Sequence, residues 1–308
     1  MSYRIDIQII RGVAVVLVVL FHLNAPYFDH GFLGVDAFFV ISGFLMAILY
    51  QKGKVRDFYK CRASRLLPAY FATIILTLVI SAYVTLPSEH SQVVEQGVFA
   101  SVFLPNIGFW LQNSYFSKAE FNPLLHLWSL GVEIQFYLIV PLLAWLHRRS
   151  YRLSALLLLG SMAGAFLLVN VSPKTAFFMM PFRAWQFLLV AGVAWYLSSA
   201  RGLPYSIPWL GMTALILLLG ITIAYPVDGQ LPDPIFGHPG LAALLITLAT
   251  ACVLAFGLPD SFERSIPGLI LRKLGDWSYS IYLAHFPVIV LALYVPFSGT
   301  ILTPLAGC

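Results

Sequence analysis

The sequence predicts an all-α protein, a polytopic transmembrane helix bundle of about nine to ten spans with a cytoplasmic N-terminus. Of its 308 residues, 60% are hydrophobic and 10% are charged, whereas a soluble domain carries about 25% charged residues. The apolar residues fall in long runs, and about 20 such residues are enough for a helix to cross a bilayer. The basic residues are concentrated in a few short segments between the runs, which is typical of cytoplasmic loops.

The apolar runs predict nine crossings within one integral membrane domain over residues 1–308. They lie at about residues 7–25, 32–50, 66–86, 127–147, 153–170, 177–198, 208–225, 239–258 and 277–297. The first run is not a typical secretory signal, because Arg11 interrupts it and no small-residue cleavage site follows. We therefore expect it to be a retained first helix.

One segment, 93–111, leaves the number of crossings open. It is apolar enough to cross, but it contains Glu95, Gln96, Pro105 and Asn106. If it crosses, the chain has ten spans and the basic cluster at 147–152 falls outside the cell. If it is re-entrant or interfacial, the chain has nine spans and every basic cluster is cytoplasmic, which the positive-inside rule favours.

Seven ionisable residues are predicted to lie at membrane depth. A charge at the bilayer centre costs roughly 2.5–3.5 kcal/mol on insertion scales, so such residues normally face a protein interior or a water-filled cavity. They are therefore candidates for a functional site. They are Arg11, His22, Asp36, His126, Glu133, Arg183 and His285.

Arg11 and His22 are predicted to share one face of the first helix. They are eleven positions apart, which is about three turns and roughly 16 Å along the axis. A guanidinium group binds phosphate and an imidazole accepts a proton near neutral pH. The alternatives are that Arg11 anchors the helix end and that His22 is a hydrogen-bonded histidine of the bundle.

Three further ionisable residues of the predicted site are Asp36, Glu133 and Arg183. Asp36 is expected at the depth of His22, where a carboxylate fixes the tautomer of a histidine; alternatively it is an acid favoured by the helix dipole. Glu133 is a candidate general acid or base, or a ligand of a sugar hydroxyl, unless it makes only a buried structural hydrogen bond. Arg183 begins the sixth crossing from outside.

Arg62 and Arg65 lead into the third span and are expected on the cytoplasmic side. Residues three apart share a helix face, so the pair can clamp a phosphate; the alternative is a topology signal that binds lipid headgroups. His285 is expected near the cytoplasmic end of the last span, lining a cofactor channel or playing a structural part. His126 and Trp128 are expected at the outer interface, where Trp also serves as a membrane anchor.

Several motifs in series resemble the acyltransferase-3 family of membrane acyltransferases. Each motif is weak alone, but together they occur in order over nearly the whole chain. They are Arg11-x10-His22, the glycine-rich stretch at 31–45, Arg62-x-x-Arg65-x-x-Pro68, the stretch from His126 to Glu133 followed by Gln135-Phe136-Tyr137, Arg183-x-Trp185, and Gly275-x-x-Ser278-Tyr279-Ser280-Ile281-Tyr282-Leu283-Ala284-His285-Phe286-Pro287.

The resemblance implies a multi-pass enzyme of the cell membrane, of the bacterial inner membrane type. Such enzymes transfer an acyl group, most often acetyl, from cytoplasmic acyl-CoA to a hydroxyl of a cell-envelope or exported glycan. Its implied partners are acetyl-CoA as donor cosubstrate, a glycan or lipid-linked sugar, and membrane lipid, without a metal or a nucleic acid. The family usually has one more helix after the Tyr-Leu-x-His segment, so the chain is expected to be without its last helix.

We assign residue roles on this basis. The expected catalytic residues are His22, Asp36 and Glu133; Arg11, Arg62, Arg65 and His285 are expected to bind the donor; His126, Trp128 and Arg183 are expected to bind the acceptor. Direct transfer and an acyl-histidine intermediate both remain open, as does an acyl group other than acetyl. The alternative function is a transporter or flippase of a lipid-linked glycan, which would show inverted repeats that the sequence does not reveal.

Overall fold

A computed structural model describes residues 4–50, 53–112, 121–199, 207–228 and 230–294. Over these residues the protein is helical, and the sole β pairing is an isolated bridge between Asp228 and Gly237. A 3₁₀ turn, Gly31–Leu33, precedes α2. The helices are α1 Ile5–His22, α2 Gly34–Leu49, α3 Val55–Val84, α4 Pro87–Ser101, α5 Pro105–Leu111, α6 Leu127–Arg149, α7 Tyr151–Val169, α8 Pro173–Phe178, α9 Met180–Ser199, α10 Pro208–Ala224, α11 Leu241–Phe256, α12 Asp260–Glu263 and α13 Ile266–Tyr294.

The helices confirm the predicted multi-pass architecture. Every predicted span overlaps a helix. Within the described part of the chain, six helices are long and apolar enough to cross a membrane, namely α1, α2 with its 3₁₀ turn, α3, α6, α7 and α13. Two more, α10 and α11, are apolar but shorter. The expectation of a missing last helix concerns residues after 294, which lie outside the described residues.

Two helices begin earlier than the hydropathy pattern predicts. The third, α3, begins at Val55 instead of residue 66, and α13 begins at Ile266 instead of residue 277. Lys and Arg are good helix formers, so the basic stretches continue the helix where the apolar run has ended. The 30 residues of α3 make a helix of about 45 Å, longer than the roughly 30 Å hydrocarbon core. Arg62 and Arg65 therefore lie on this helix.

The segment 93–111 is divided between two helices. It contains the end of α4 and the whole of α5, and the break falls at 102–104, where Phe103 has a φ of 62°. The two helices have 15 and 7 residues, and both are shorter than the roughly 20 residues of a spanning helix. This break supports the interpretation that segment 93–111 enters the membrane without crossing it.

The relative directions of the helices also bear on the topology. Near the start of α2, the ring of Phe39 lies 6.1 Å from that of Trp128 on α6, and further along both helices Ser42 donates a hydrogen bond to Glu133. The two helices therefore run parallel, as nine crossings require. Ten crossings would make α6 run opposite to α2. The number of crossings stays a prediction, which this arrangement supports.

The first and last described helices, α1 and α13, pack closely and run parallel. A Cβ atom added to Gly275 would lie 1.8 Å from the carbonyl oxygen of Gln8, so the backbones touch at this glycine. Small residues allow such contact between membrane helices. The same two helices meet again at His22 and His285, which brings a histidine from each end of the described chain into one site.

Candidate active site

Two adjoining cavities lie among α1, α2, α3, α6 and α13. We name the first the basic cavity; its polar lining is Arg11, Ser42, Arg62, Arg65, Ser129, Glu133, Tyr137, Ser278, Tyr279 and Tyr282. We name the second the histidine cavity; it has a volume of about 550 Å³ and is lined by Phe21, His22, Asp29, Phe32, Val35, Leu125, His126, Trp128, Phe177, Val227, Asp228, Tyr282 and Phe286. Val35 and Tyr282 line both.

Three arginines from two helices converge on the basic cavity. Arg11 comes from α1, and Arg62 and Arg65 come from successive turns of α3. As the three-residue spacing predicts, Arg62 and Arg65 face the same space. Guanidinium groups bind phosphate through paired N–H donors, so this cavity has the chemistry for a phosphorylated ligand.

Glu133 lies in the basic cavity and accepts hydrogen bonds from two neighbouring hydroxyls. The donors are Ser42 on α2 and Tyr137, one turn further along α6; Tyr137 also lies 3.3 Å from the Ser42 hydroxyl. Glu133 was expected on the same side of the site as His22, and the structure corrects this position, because Glu133 lines the basic cavity with Arg11, Arg62 and Arg65. Its part as a general acid or base stays a prediction. Its depth along α6 was predictable, but the helix that it faces depends on how α6 packs against α2.

His22 lines the histidine cavity, and His285 lies directly behind it. The His285 Nε2 atom is 3.1 Å from His22 Nδ1. The His285 Nδ1 atom is 2.7 Å from the carbonyl oxygen of Tyr282, and because a carbonyl only accepts, this nitrogen carries the proton. In neutral rings, His285 Nε2 then accepts from His22 Nδ1–H, and His22 Nε2 keeps its lone pair for a substrate proton.

His285 was expected near the cytoplasmic end of the last span, and its contact with His22 corrects this position; its part in binding the donor stays a prediction. Because α13 is parallel to α1 and starts earlier than predicted, His285 falls at the depth of His22. It does not line the basic cavity as described. His285 occupies the position that was expected for Asp36, next to a ring nitrogen of His22.

Asp36 pairs with Arg183 instead of His22, which corrects the expected His–Asp dyad. Its Oδ1 atom accepts hydrogen bonds from Arg183 Nη1 at 2.9 Å and from Gln186 Nε2 at 2.6 Å. Its Oδ2 atom lies 3.5 Å from His238 Nε2. Asp36 is on the α2 face that packs against α9, and its fully buried side chain does not reach the histidine cavity.

Arg183 is held by protein groups on every side. Besides Asp36, its Nε donates to the carbonyl oxygen of Phe177 at 3.0 Å, and its guanidinium lies 5.1 Å from the ring of the same residue. Only 1% of the residue is exposed. The structure thus places Arg183 behind the wall of the histidine cavity, and the expectation that it contacts the acceptor is not met by this geometry.

His238, in the connection between α10 and α11, makes a hydrogen bond to this buried ion pair. Arg183 Nη2 lies 2.9 Å from His238 Nε2. Burial, and secondarily the nearby Arg183 charge, hold the pKa of His238 well below its usual range. The ring is therefore neutral and accepts from the guanidinium, which ties this loop to the core.

His126 and Trp128 both line the histidine cavity, and their part in binding the acceptor stays a prediction. His126 Nε2 lies 3.1 Å from the carbonyl oxygen of Leu283, so this nitrogen donates and the ring is fixed. Trp128 packs against Phe177 with ring centroids 4.3 Å apart. Aromatic walls with a few polar groups are typical of small-ligand pockets.

Tyr282 and Ser129, whose hydroxyls lie 2.5 Å apart between the two cavities, were not among the predicted site residues. Both residues occur within the quoted motifs, but no spacing rule relates α6 to α13. Asp29 and Asp228, which lie in loops at the histidine cavity, were not predicted either. Over the described ranges, no group of three or more His, Cys, Asp or Glu is arranged to hold a metal ion.

The fold and the site together define a multi-pass helical membrane protein with a buried polar site in two chambers. A family model described as an acyltransferase domain matches residues 4–306. The chain belongs to this acyltransferase-3 family of membrane enzymes, as the motifs predicted.

The chain is also similar to individual members of this class. It is 33% identical to the membrane-bound transacylase BcsY of Komagataeibacter xylinus, over 96% of this chain and 75% of that protein. It is 30% identical to the O-acetyltransferase OatA of Staphylococcus aureus (strain NCTC 8325 / PS 47), over 91% of this chain and 50% of that protein. The chain thus spans about half the length of OatA. No solved structure matches it.

Proposed function

We propose that this chain transfers an acyl group, most often acetyl, from cytoplasmic acyl-CoA to a hydroxyl of a cell-envelope or exported glycan. Its place would be the bacterial inner membrane. The observation that carries the proposal is the junction of a basic cavity with a histidine cavity. The names of the relatives, an O-acetyltransferase and a transacylase, support the same chemistry.

The basic cavity is the proposed donor site. Its lining carries three guanidinium groups against one carboxylate, an excess of two positive charges, which suits the phosphates of CoA. Arg62 and Arg65 present paired N–H donors from one face of α3, and Arg11 approaches from α1. Charge-assisted, bidentate hydrogen bonds are among the strong ones in proteins. Bound in this way, CoA would direct its thioester along the cavity toward Tyr282.

The histidine cavity is the proposed acceptor site, and His22 is the proposed general base. The acceptor hydroxyl gives its proton to His22 Nε2 while its oxygen attacks the thioester carbonyl carbon. The new C–O bond forms, the C–S bond breaks, and the CoA thiolate takes the proton back from the imidazolium. His285 Nε2, which accepts from His22 Nδ1–H, stabilises the ring during this step. A positioned base contributes about 10²–10⁴-fold in rate.

The test is transfer of radiolabelled acetyl-CoA to the glycan fraction of membranes that contain the full chain. Wild-type membranes should incorporate label, and His22→Ala membranes with equal protein content should not. His147→Ala is the matched control, because His147 stacks on Trp195 with centroids 4.1 Å apart and lines neither cavity. Incorporation equal to that of membranes without the protein would overturn the proposal, and a flippase would give this result.

A further inference from the structure

Two buried side chains lie at the boundary between the two cavities, which we call the wall. Val35 on α2 and Tyr282 on α13 are the residues that line both cavities, and they are 8% and 6% exposed. On the basic side, the ring of Phe38 meets the Tyr282 ring edge-on, with centroids 5.8 Å apart. The route from one cavity to the other therefore runs past these side chains.

Tyr282 is held in this wall from both ends. Its backbone belongs to α13, and its hydroxyl donates to the carbonyl oxygen of His126 at 3.0 Å, where α6 begins. The same hydroxyl lies 2.5 Å from the Ser129 hydroxyl, one turn further on. The ring thus bridges two helices and can turn aside only by breaking both hydrogen bonds. A side chain fixed in this way sets the width of the passage.

We infer that Tyr282, together with Val35, determines the length of the acyl group that the enzyme transfers. This inference rests on the proposed function: with CoA in the basic cavity and the acceptor in the histidine cavity, the acyl group is the part that has to reach past the wall. We expect a passage bounded by these two buried side chains to admit acetyl and to exclude longer chains. One methylene in a close-fitting apolar site changes selectivity by about 10–200-fold.

The inference is tested with acetyl-, butyryl- and hexanoyl-CoA, each carrying label in its acyl group. Membranes containing the full chain are supplied with each donor, and label in their glycan fraction is measured. Tyr282→Ala removes the ring and should raise the ratio of butyryl to acetyl transfer by about tenfold or more. Val35→Phe narrows the same passage and should lower this ratio, so the two variants move selectivity in opposite directions.

Tyr70→Ala is the matched control for general loosening of the bundle. Tyr70 is a buried tyrosine of α3 whose hydroxyl donates to the carbonyl oxygen of Ala100 at 2.9 Å, and it lines neither cavity. The selectivity of this variant should equal that of the wild type. If Tyr282→Ala does not insert, Val35→Phe alone decides the matter.

Three results would overturn the inference. The first is an unchanged butyryl-to-acetyl ratio in Tyr282→Ala or Val35→Phe when that variant still transfers acetyl. The second is an equal change in Tyr70→Ala. The third is the absence of transfer from any donor by the wild-type chain, which overturns the proposed function together with the inference. The first two leave acyl transfer itself standing, so the two failures are distinguishable.

Discussion

The Nε2 atom of His285 lies 3.1 Å from the Nδ1 atom of His22, and this contact joins the parallel helices α1 and α13. His285 is in turn fixed by the carbonyl oxygen of Tyr282, 2.7 Å from its Nδ1 atom. In a Ser-His-Asp triad the group behind the base is a carboxylate. Here a neutral imidazole occupies that position, so it orients the base through one hydrogen bond without adding a negative charge.

Replacing His285 should lower kcat for acetyl transfer while leaving KM for acetyl-CoA within about twofold. The orientation of a base affects stabilisation of the transition state but not the affinity for the donor. We expect the kcat of His285→Ala to be about tenfold or more below that of the wild type. His285→Gln should retain more activity, since its amide oxygen can accept from His22 Nδ1–H. Initial rates over a range of acetyl-CoA concentrations measure both constants; a higher KM with unchanged kcat would contradict the assignment.

Replacing an arginine of the basic cavity should weaken binding of the donor. A hydrogen bond to a charged group contributes about 1.5–3 kcal/mol, so Arg65→Ala should raise KM for acetyl-CoA by about 10- to 100-fold. The control is Arg148→Ala, because the Arg148 guanidinium lies over the Tyr50 ring at 5.9 Å and outside both cavities. Equal values of KM in the two variants would exclude Arg65 from the donor site.

Breaking the buried pair of Asp36 and Arg183 should destabilise the protein. Removing one partner leaves a buried charge uncompensated, which costs about 3–5 kcal/mol. We expect Asp36→Ala to lower the melting temperature in detergent well below that of Asp260→Ala, whose side chain is exposed. The double variant Asp36→Leu/Arg183→Met should lose less than the sum of the single changes.

The same pair of residues distinguishes a structural from a catalytic part for Asp36. A variant Asp36→Asn that melts like the wild type but has lost acetyl transfer would show that Asp36 takes part in the chemistry. The structure predicts instead that Asp36→Asn melts at a lower temperature than the wild type. The reason is that Asp36 contacts Arg183 and Gln186 and does not line the histidine cavity.

Adding a methyl group at the contact of α1 and α13 should separate the two histidines. A Cβ atom at Gly275 would lie 1.8 Å from the carbonyl oxygen of Gln8, so Gly275→Ala forces the backbones apart. A Cβ atom at Gly220 on α10 meets nothing within 4 Å, and Gly220→Ala should be neutral. Thermal unfolding and acetyl transfer measure the effect; equal behaviour of the two variants would contradict the close packing.

Part of the candidate site was predictable from single helices. The spacing of Arg11 and His22 fixes their separation along α1, and the structure places them in different cavities. The spacing of Arg62 and Arg65 likewise puts both on one face of α3. These predictions use only the periodicity of one helix, which the sequence determines directly.

Relations between helices were not predictable in the same way. Asp36 was expected beside His22 but pairs with Arg183. The neighbours of Glu133 and His285, namely Ser42 and His22, were not predicted, although all three residues were correctly expected within the bundle. Hydropathy gives the depth of a residue in the membrane, but several helices pass through each depth. Which one is adjacent depends on the close contacts at Gly275 and on the directions of the helices.

By itself, the sequence determined an all-helical membrane protein of the acyltransferase-3 family, because apolar runs, basic loops and motif order are properties of the chain in one dimension. Only the tertiary structure decided that His285 supports His22, that Asp36 pairs with Arg183, and that Tyr282 separates the cavities. The two pairs join residues more than 100 positions apart, and Tyr282 lies at the boundary of two cavities. All these positions are fixed by the lateral packing of helices, which local periodicity does not encode.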